Sequence, residues 1–270
     1  MLNFEILCTT MNQNDFSKIE AMNIKSDVVF ANQCDHTAYE ETEFEGHTAK
    51  MISTQTRGVG KNRNLALIYA SADICMFADD DVKYADDMEK QVLREFEQHP
   101  DADIIIFHLE TDNPLKKQIQ YKTTRKCPSW EKMPWGTIRA AFRLESVRKA
   151  NVWFSTLFGG GCVFPSGEDS IWFTDVKKAG LTFYVSKETI GSVCFDTSTW
   201  FTGYDEKYFF GKGAFYQAAR SKLVYLWILY FSFRERRSNL PWKEKIKWML
   251  HGKDGYKKMM SYDEYRKSKA

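Results

Sequence analysis

Asp79, Asp80 and Asp81 form a run of three carboxylates directly after the apolar segment Ile74-Cys75-Met76-Phe77-Ala78. Five apolar residues bounded by polar ones read as a buried strand. Carboxylates packed side by side repel one another, and a divalent cation relieves that repulsion. Oxygen-only clusters suit Mg²⁺ or Mn²⁺, which commonly arrive with phosphate, and ligands of open sheets sit beyond the carboxyl ends of strands. The chemistry indicated is a metal and nucleotide site. Part of the local acidity has a plainer reading, because Asp86 followed by Glu89 resembles a capping box that opens a helix over Asp87 to Gln98.

Two other segments fit the same chemistry. Arg57-Gly58-Val59-Gly60-Lys61-Asn62-Arg63-Asn64 leads into the apolar stretch Leu65 to Ala70. Two glycines free the backbone where a helix starts, and Arg57, Lys61 and Arg63 around that start suit a diphosphate. An ordinary basic helix entry is the competing reading, since the pattern is neither a Walker loop nor a dinucleotide fingerprint. Further on, Phe158-Gly159-Gly160-Gly161 approaches Gly167-Glu168-Asp169 at the start of another helix. Acids in a first turn are stabilised by the helix dipole, often with no other role. The same field keeps a carboxylate ionised, ready to take a proton from a hydroxyl, and bare glycines would let a bulky substrate approach the backbone. Acids for a metal and a separate acid for a base match transfer of a sugar from a nucleotide, in which metal offsets charge on the leaving diphosphate.

These segments need a scaffold of alternating strands and helices. Strands are expected at Phe4 to Cys8, Val28 to Ala31, Ile74 to Ala78, Ile104 to Leu109 and Thr182 to Val185, and helices at Asp15 to Met22, Lys61 to Ser71, Asp87 to Gln98 and Glu168 to Ala179. That alternation predicts an α/β fold with a mainly parallel sheet flanked by helices. A chain of 270 residues with 43% hydrophobic content can bury a large core. Its six cysteines form no C-x-x-C pair and read as reduced, mostly buried thiols. Met1 to Cys8 lacks a basic start and a long apolar run, which predicts a cytoplasmic protein.

The order of motifs resembles the large inverting glycosyltransferase family with the GT-A fold, which includes enzymes of bacterial surface-polysaccharide synthesis. The likeness rests on the strand Phe4 to Thr10, the strand ending Asn32-Gln33-Cys34-Asp35, Arg57 to Asn64, Phe77-Ala-Asp-Asp-Asp81 and Gly167-Glu-Asp169. It implies that Thr9 and Asp35 lie against the base and ribose of a nucleotide sugar, with Arg63 close by. It implies that Asp79 and Asp81 hold the outer positions of a D-x-D motif, with Asp81 the principal ligand of Mn²⁺ or Mg²⁺, Asp79 facing ribose or metal, and Asp80 beside the donor. Asp169 becomes the general base, Glu168 an acceptor-positioning residue, and the anomeric centre inverts by direct displacement. Many relatives add a later histidine at the metal, but Ser192 to Trp200 has none, leaving Asp196, or phosphate and water, to stand in. Lys212 in Phe209-Phe-Gly-Lys-Gly213 is expected to touch the diphosphate from a flexible loop.

The charge is divided unevenly. Residues 216–270 carry 14 Lys and Arg against 5 Asp and Glu, a net of +9, while the first 215 carry 24 against 31, a net of −7. This places the catalytic domain at 1–215 and a basic, aromatic helical extension at 216–270. The run Leu223 to Phe231 is shorter than the roughly 20 residues a span needs. With Trp242 to Leu250 it suits helices lying on an anionic membrane, and packing on the core is the alternative. No nucleic-acid recognition motif accompanies the cations. The sequence therefore predicts a metal-dependent transferase taking a UDP-linked sugar to a glycan or lipid-diphosphate-linked acceptor at the inner face of the membrane. A sugar nucleotidyltransferase and an inactive membrane-bound scaffold of the same fold are the alternatives.

Overall fold

In the computed structural model the described residues are 2–111, 113, 119–128, 131, 136–193 and 203–269. Two compact units emerge: one of Met1–Arg57, Lys61–Phe154 and Trp172–Thr197, the other of Gly58–Gly60, Ser155–Ile171 and Ser198–Ala270.

The first unit is built on β1 (Phe4–Met11), whose neighbours β2 (Asp27–Gln33) and β5 (Ile74–Asp79) run parallel to it. Buried on both faces, these strands are nearly continuous in apolar residues. Alternate side chains enter separate cores: Ile6, Val28, Phe30 and Met76 on one side, Leu7, Val29, Cys75 and Phe77 on the other. Outside β2 lie β4 (His47–Thr54), parallel to it, and β3 (Ala38–Phe44), antiparallel at the edge. Glu45 and Gly46, with φ of 48° and 85°, make the tight turn between them. The sheet order is β3-β4-β2-β1-β5-β9-β7-β10-β6, where β6 is Val82–Tyr84, β7 Ile104–Glu110, β9 Ala140–Arg143 and β10 Phe183–Val193. A short β8 (Arg125–Lys126) pairs with β10.

The expected strands all form, but the sheet is mixed rather than mainly parallel. Strand β9 lies antiparallel between β5 and β7, and β6 antiparallel against β10. Helices α1 (Lys18–Ala21), α2 (Val59–Tyr69), α3 (Met88–Gln98), α4 (Leu144–Ala150) and α5 (Glu168–Lys178) follow in chain order. The capping box expected at α3 is absent. Its N-cap is Asp87 with no side-chain cap bond, and Asp86 instead accepts hydrogen bonds from Lys25, 2.6 Å away, and Asn23. Cys8, Cys34 and Cys75 are buried free thiols, Cys127 and Cys162 are half-buried free thiols, and Cys194 lies outside the described residues.

The second unit contains α6 (Glu206–Ala219), α7 (Val224–Arg234), α8 (Trp242–Lys258) and α9 (Tyr262–Lys267), so residue 215 lies within a helix. Phe158, Phe164, Phe209, Phe210, Trp248 and Met249 form its core. Helices α6 and α8 meet backbone to backbone. A Cβ on Gly213 would stand 1.9 Å from the Met249 carbonyl oxygen, and one on Gly252 would stand 1.8 Å from that of Phe210. Among the described residues, no helix is long and apolar enough to cross a membrane.

Candidate active site

Strand register assembles the first group of site residues. Thr9 pairs with Asp79 across β1 and β5, at the carboxyl ends of both strands. The Thr9 hydroxyl donates to Asp79 Oδ1 at 2.9 Å, and Arg63 Nη2 donates to the same oxygen at 3.2 Å. Arg63 is buried, and its guanidinium lies 5.3 Å from the centre of the Phe154 ring. A buried cation costs much of its hydration, and Asp79 with the ring face returns part of it. Asp79 and Arg63 are therefore fixed as a pair.

Asp80 is held differently. Its Oδ2 accepts from the Thr10 hydroxyl at 2.5 Å and lies 3.4 Å from the Lys18 ammonium, which also donates to the Asp80 carbonyl at 3.2 Å. Asp81 is exposed. Asp79 and Asp80 thus differ in their surroundings, the first tied to an arginine and the second to a threonine and a lysine. Thr10 and Lys18 were missed in the sequence. Asn62 was missed too: it is buried and donates to the carbonyls of Thr10 at 3.2 Å and Ala31 at 2.6 Å, joining the ends of β1 and β2.

Asp35 lies two residues beyond β2, and its backbone carbonyl accepts from Gln55 at 2.8 Å. The His36 imidazole, 2.9 Å away, holds the Asp35 carboxyl below the usual carboxylate range. Cys34, Asp35 and His36 are the one group of three metal-ligand types among the described residues whose ligand atoms lie within 4.8 Å of one another. Arg57 is exposed and donates to the Gln33 carbonyl at 3.4 Å, and Lys61 is exposed on the first turn of α2. The first unit thus gathers Thr9, Arg63 and Asp79 into one hydrogen-bonded group, with Asp80 next to it on Thr10 and Lys18. Asp35 follows β2, and Arg57, which follows β4, reaches back to the end of β2.

In the second unit the two glycine segments meet. Val59 N donates to the Gly160 carbonyl at 3.0 Å, and a Cβ on Gly161 would stand 3.3 Å from Gly58 N. Gly159, at φ 104°, leaves room for Val59 Cγ1 and the Glu168 carboxyl, which a Cβ there would meet at 2.4 and 2.9 Å. Gly159 and Gly161 therefore face neighbouring protein atoms. Glu168 Oε2 accepts from Gly167 N at 3.0 Å, and Asp169 follows it in the first turn of α5, where the dipole favours anions.

Lys212 is not on a loop. It lies within α6, 5.3 Å from the Tyr208 ring and 5.7 Å from that of Phe215. Burial holds its ammonium below the usual lysine range, with Glu235 and Glu168 pulling the other way. The glycines on either side do not mark a loop: both lie within α6, and Gly213 permits the close approach of α8. Asp196 lies outside the described residues.

Residues 27–155 match the family model described as Glycosyl transferase family 2. The fold is GT-A-like, a mixed sheet flanked by helices with a helical C-terminal part. No curated protein matches the sequence. Among solved structures, this chain is similar to S. aureus TarS 1–349, with a TM-score of 0.61 at 14% identity over 97% of this chain and 93% of that one. TarS 1–349 in complex with UDP-GlcNAc gives 0.62 at 13% over the same shares. The mannosyltransferase PcManGT from Pyrobaculum calidifontis, in complex with GDP-Man and Mn²⁺, gives 0.50 at 14% over 94% and 70%.

Proposed function

We propose that this protein is a metal-dependent, inverting glycosyltransferase that moves a sugar from a UDP-sugar to a hydroxyl of a glycan or lipid-diphosphate-linked acceptor in bacterial surface-polysaccharide synthesis. The reading is carried by the Thr9–Asp79–Arg63 group at the ends of β1 and β5, with exposed Asp81 two residues further on. The solved TarS complex with UDP-GlcNAc supports the choice of nucleotide.

The donor set fits a hard divalent cation, since it is made of carboxylate oxygens. Thr9 and Arg63 both hold Oδ1 of Asp79, which turns its other oxygen over to Mn²⁺ or Mg²⁺, and the exposed carboxylate of Asp81 would be the principal ligand. When bound, the ion offsets charge on the departing diphosphate. Asp80, held by Thr10 and Lys18, positions its two neighbours. Thr9, Asp35 and Arg63 contact the nucleoside, and Arg57, Lys61 and Lys212 supply positive charge for the diphosphate. Glu168 orients the acceptor. Asp169 takes the acceptor hydroxyl proton as that oxygen bonds to the anomeric carbon, and the electron pair of the broken bond leaves with UDP. The protein works in the cytoplasm, at the inner face of the membrane.

A panel of nucleotide sugars with Mn²⁺ tests this reading. Release of UDP from one of them is expected. Release of pyrophosphate from UTP and a sugar phosphate would establish a nucleotidyltransferase instead, and release of neither would establish a scaffold. Asp81→Asn should abolish metal-dependent donor binding. Asp169→Asn should keep donor binding and lower kcat by 10² or more, the usual contribution of a positioned base; near-normal turnover would remove Asp169 from the role.

A further inference from the structure

The outer half of α7 is as apolar as its inner half. Val224, Ile228 and Ser232 are buried, whereas Tyr225, Leu226, Leu229, Tyr230 and Phe233 are between 47% and 64% exposed. Their spacing puts them on one side of the helix. Trp242, stacked on Phe233 at 5.2 Å, carries the stripe past Pro241 to the start of α8. A single exposed leucine needs no explanation, but a continuous stripe marks a surface that something covers.

Charge indicates what covers it. No acidic residue occurs from Lys207 to Arg234. Exposed cations stand at both ends of the stripe, Arg220 and Lys222 before it, Arg234 and Arg236 after it. A second copy of the chain would bring these cations against their own kind, which disfavours self-pairing. An apolar stripe with aromatic edges and cationic ends complements a surface that is anionic outside and hydrocarbon within. At 11 residues α7 is about 16 Å long, half the thickness of a bilayer core, so it can lie in the surface but not span it.

We propose that the Tyr225–Phe233 face of α7 inserts into the plane of an anionic lipid bilayer, while α8 stays in the protein core. This deepens the membrane placement given above, and its test needs neither donor nor acceptor. The full chain is sedimented with vesicles of phosphatidylcholine, with and without phosphatidylglycerol, at low and high salt. Binding to the anionic vesicles, weakened by salt, is expected. Leu226→Glu with Leu229→Glu should lower partitioning at least about tenfold, the effect of losing about 1.4 kcal/mol, with an unchanged circular dichroism melt. If that variant does not fold, Lys222→Glu with Arg236→Glu should reduce binding to anionic vesicles and leave the apolar stripe intact. Equal binding of wild type and folded variants overturns the proposal. So does absence of vesicle binding, including the case in which the stripe pairs two chains in sedimentation velocity. UDP release is measured in parallel: its loss with vesicle binding retained would reject the transferase reading alone, and the reverse would reject the membrane surface alone.

Discussion

Helices α7 and α8 both carry tryptophan and tyrosine, α7 with one basic residue and α8 with six lysines, yet it is the more apolar α7 that the fold leaves outside. In α8 the apolar side is spent inward: Trp248 and Met249 are buried, and Gly252 and Gly255 bring its backbone against Phe210 of α6. In α7 a comparable set of large side chains remains outside. Hydrophobicity alone would enclose α7, and shape decides otherwise. Glycines let α8 settle into α6, whereas α7, with no glycine, packs through Val224, Ile228 and Ser232 and leaves its bulk at the surface. Composition counts apolar residues, but small residues decide which helix can be enclosed.

The largest effect should come from filling the gap in α8. Gly252→Val places new atoms where the Phe210 carbonyl stands, and a loss of about 3 kcal/mol or more is expected from such overpacking, read by urea denaturation. A mild effect would mean that α8 is not the enclosed helix. A smaller effect is expected at Lys212, on the α6 helix that α8 covers. Burial lowers its native pKa below the unfolded value, so the folded state releases its proton first as pH rises. Below the native pKa the penalty is fully present, and stability should climb between the native pKa and about 10.4, the ordinary lysine value. Lys212→Met should raise stability near neutral pH by about 1 kcal/mol and flatten that climb. Smallest of all, Leu229→Ser on α7 should change stability by no more than about 0.5 kcal/mol, because the side chain is already in water. A larger loss would show that α7 is packed after all.

Much of the first unit is legible in the sequence because its signals are local. An apolar run ending in acids marks β5 and its carboxyl end, and the strands flanking it follow from similar runs. The hairpin of β3 and β4 was missed because Glu40, Glu41 and Glu43 make its outer strand polar, a common protection of sheet edges. Four-residue β9 was missed because its antiparallel place between β5 and β7 depends on partners far away in sequence. The same limit hid Thr10 and Lys18, whose link to Asp80 exists only through register and through the turn after β1. Lys212 was misplaced because glycine has two uses, freeing a loop and thinning a helix, and one sequence does not say which applies.

Asn64 pairs with Phe154 through both its amide groups, at 3.0 and 2.8 Å, across 90 positions of chain, and Thr9 reaches Asp79 across 70. Closing such long loops is slow, because entropy is lost before the contact forms. The surroundings of Arg63 and Asp79 should therefore be among the last to acquire protection in pulsed hydrogen exchange during refolding. A chain leaving the ribosome has no complete version of this group: until residue 154 has emerged and docked, Arg63 lacks the ring it lies on and Asn64 lacks its backbone partner.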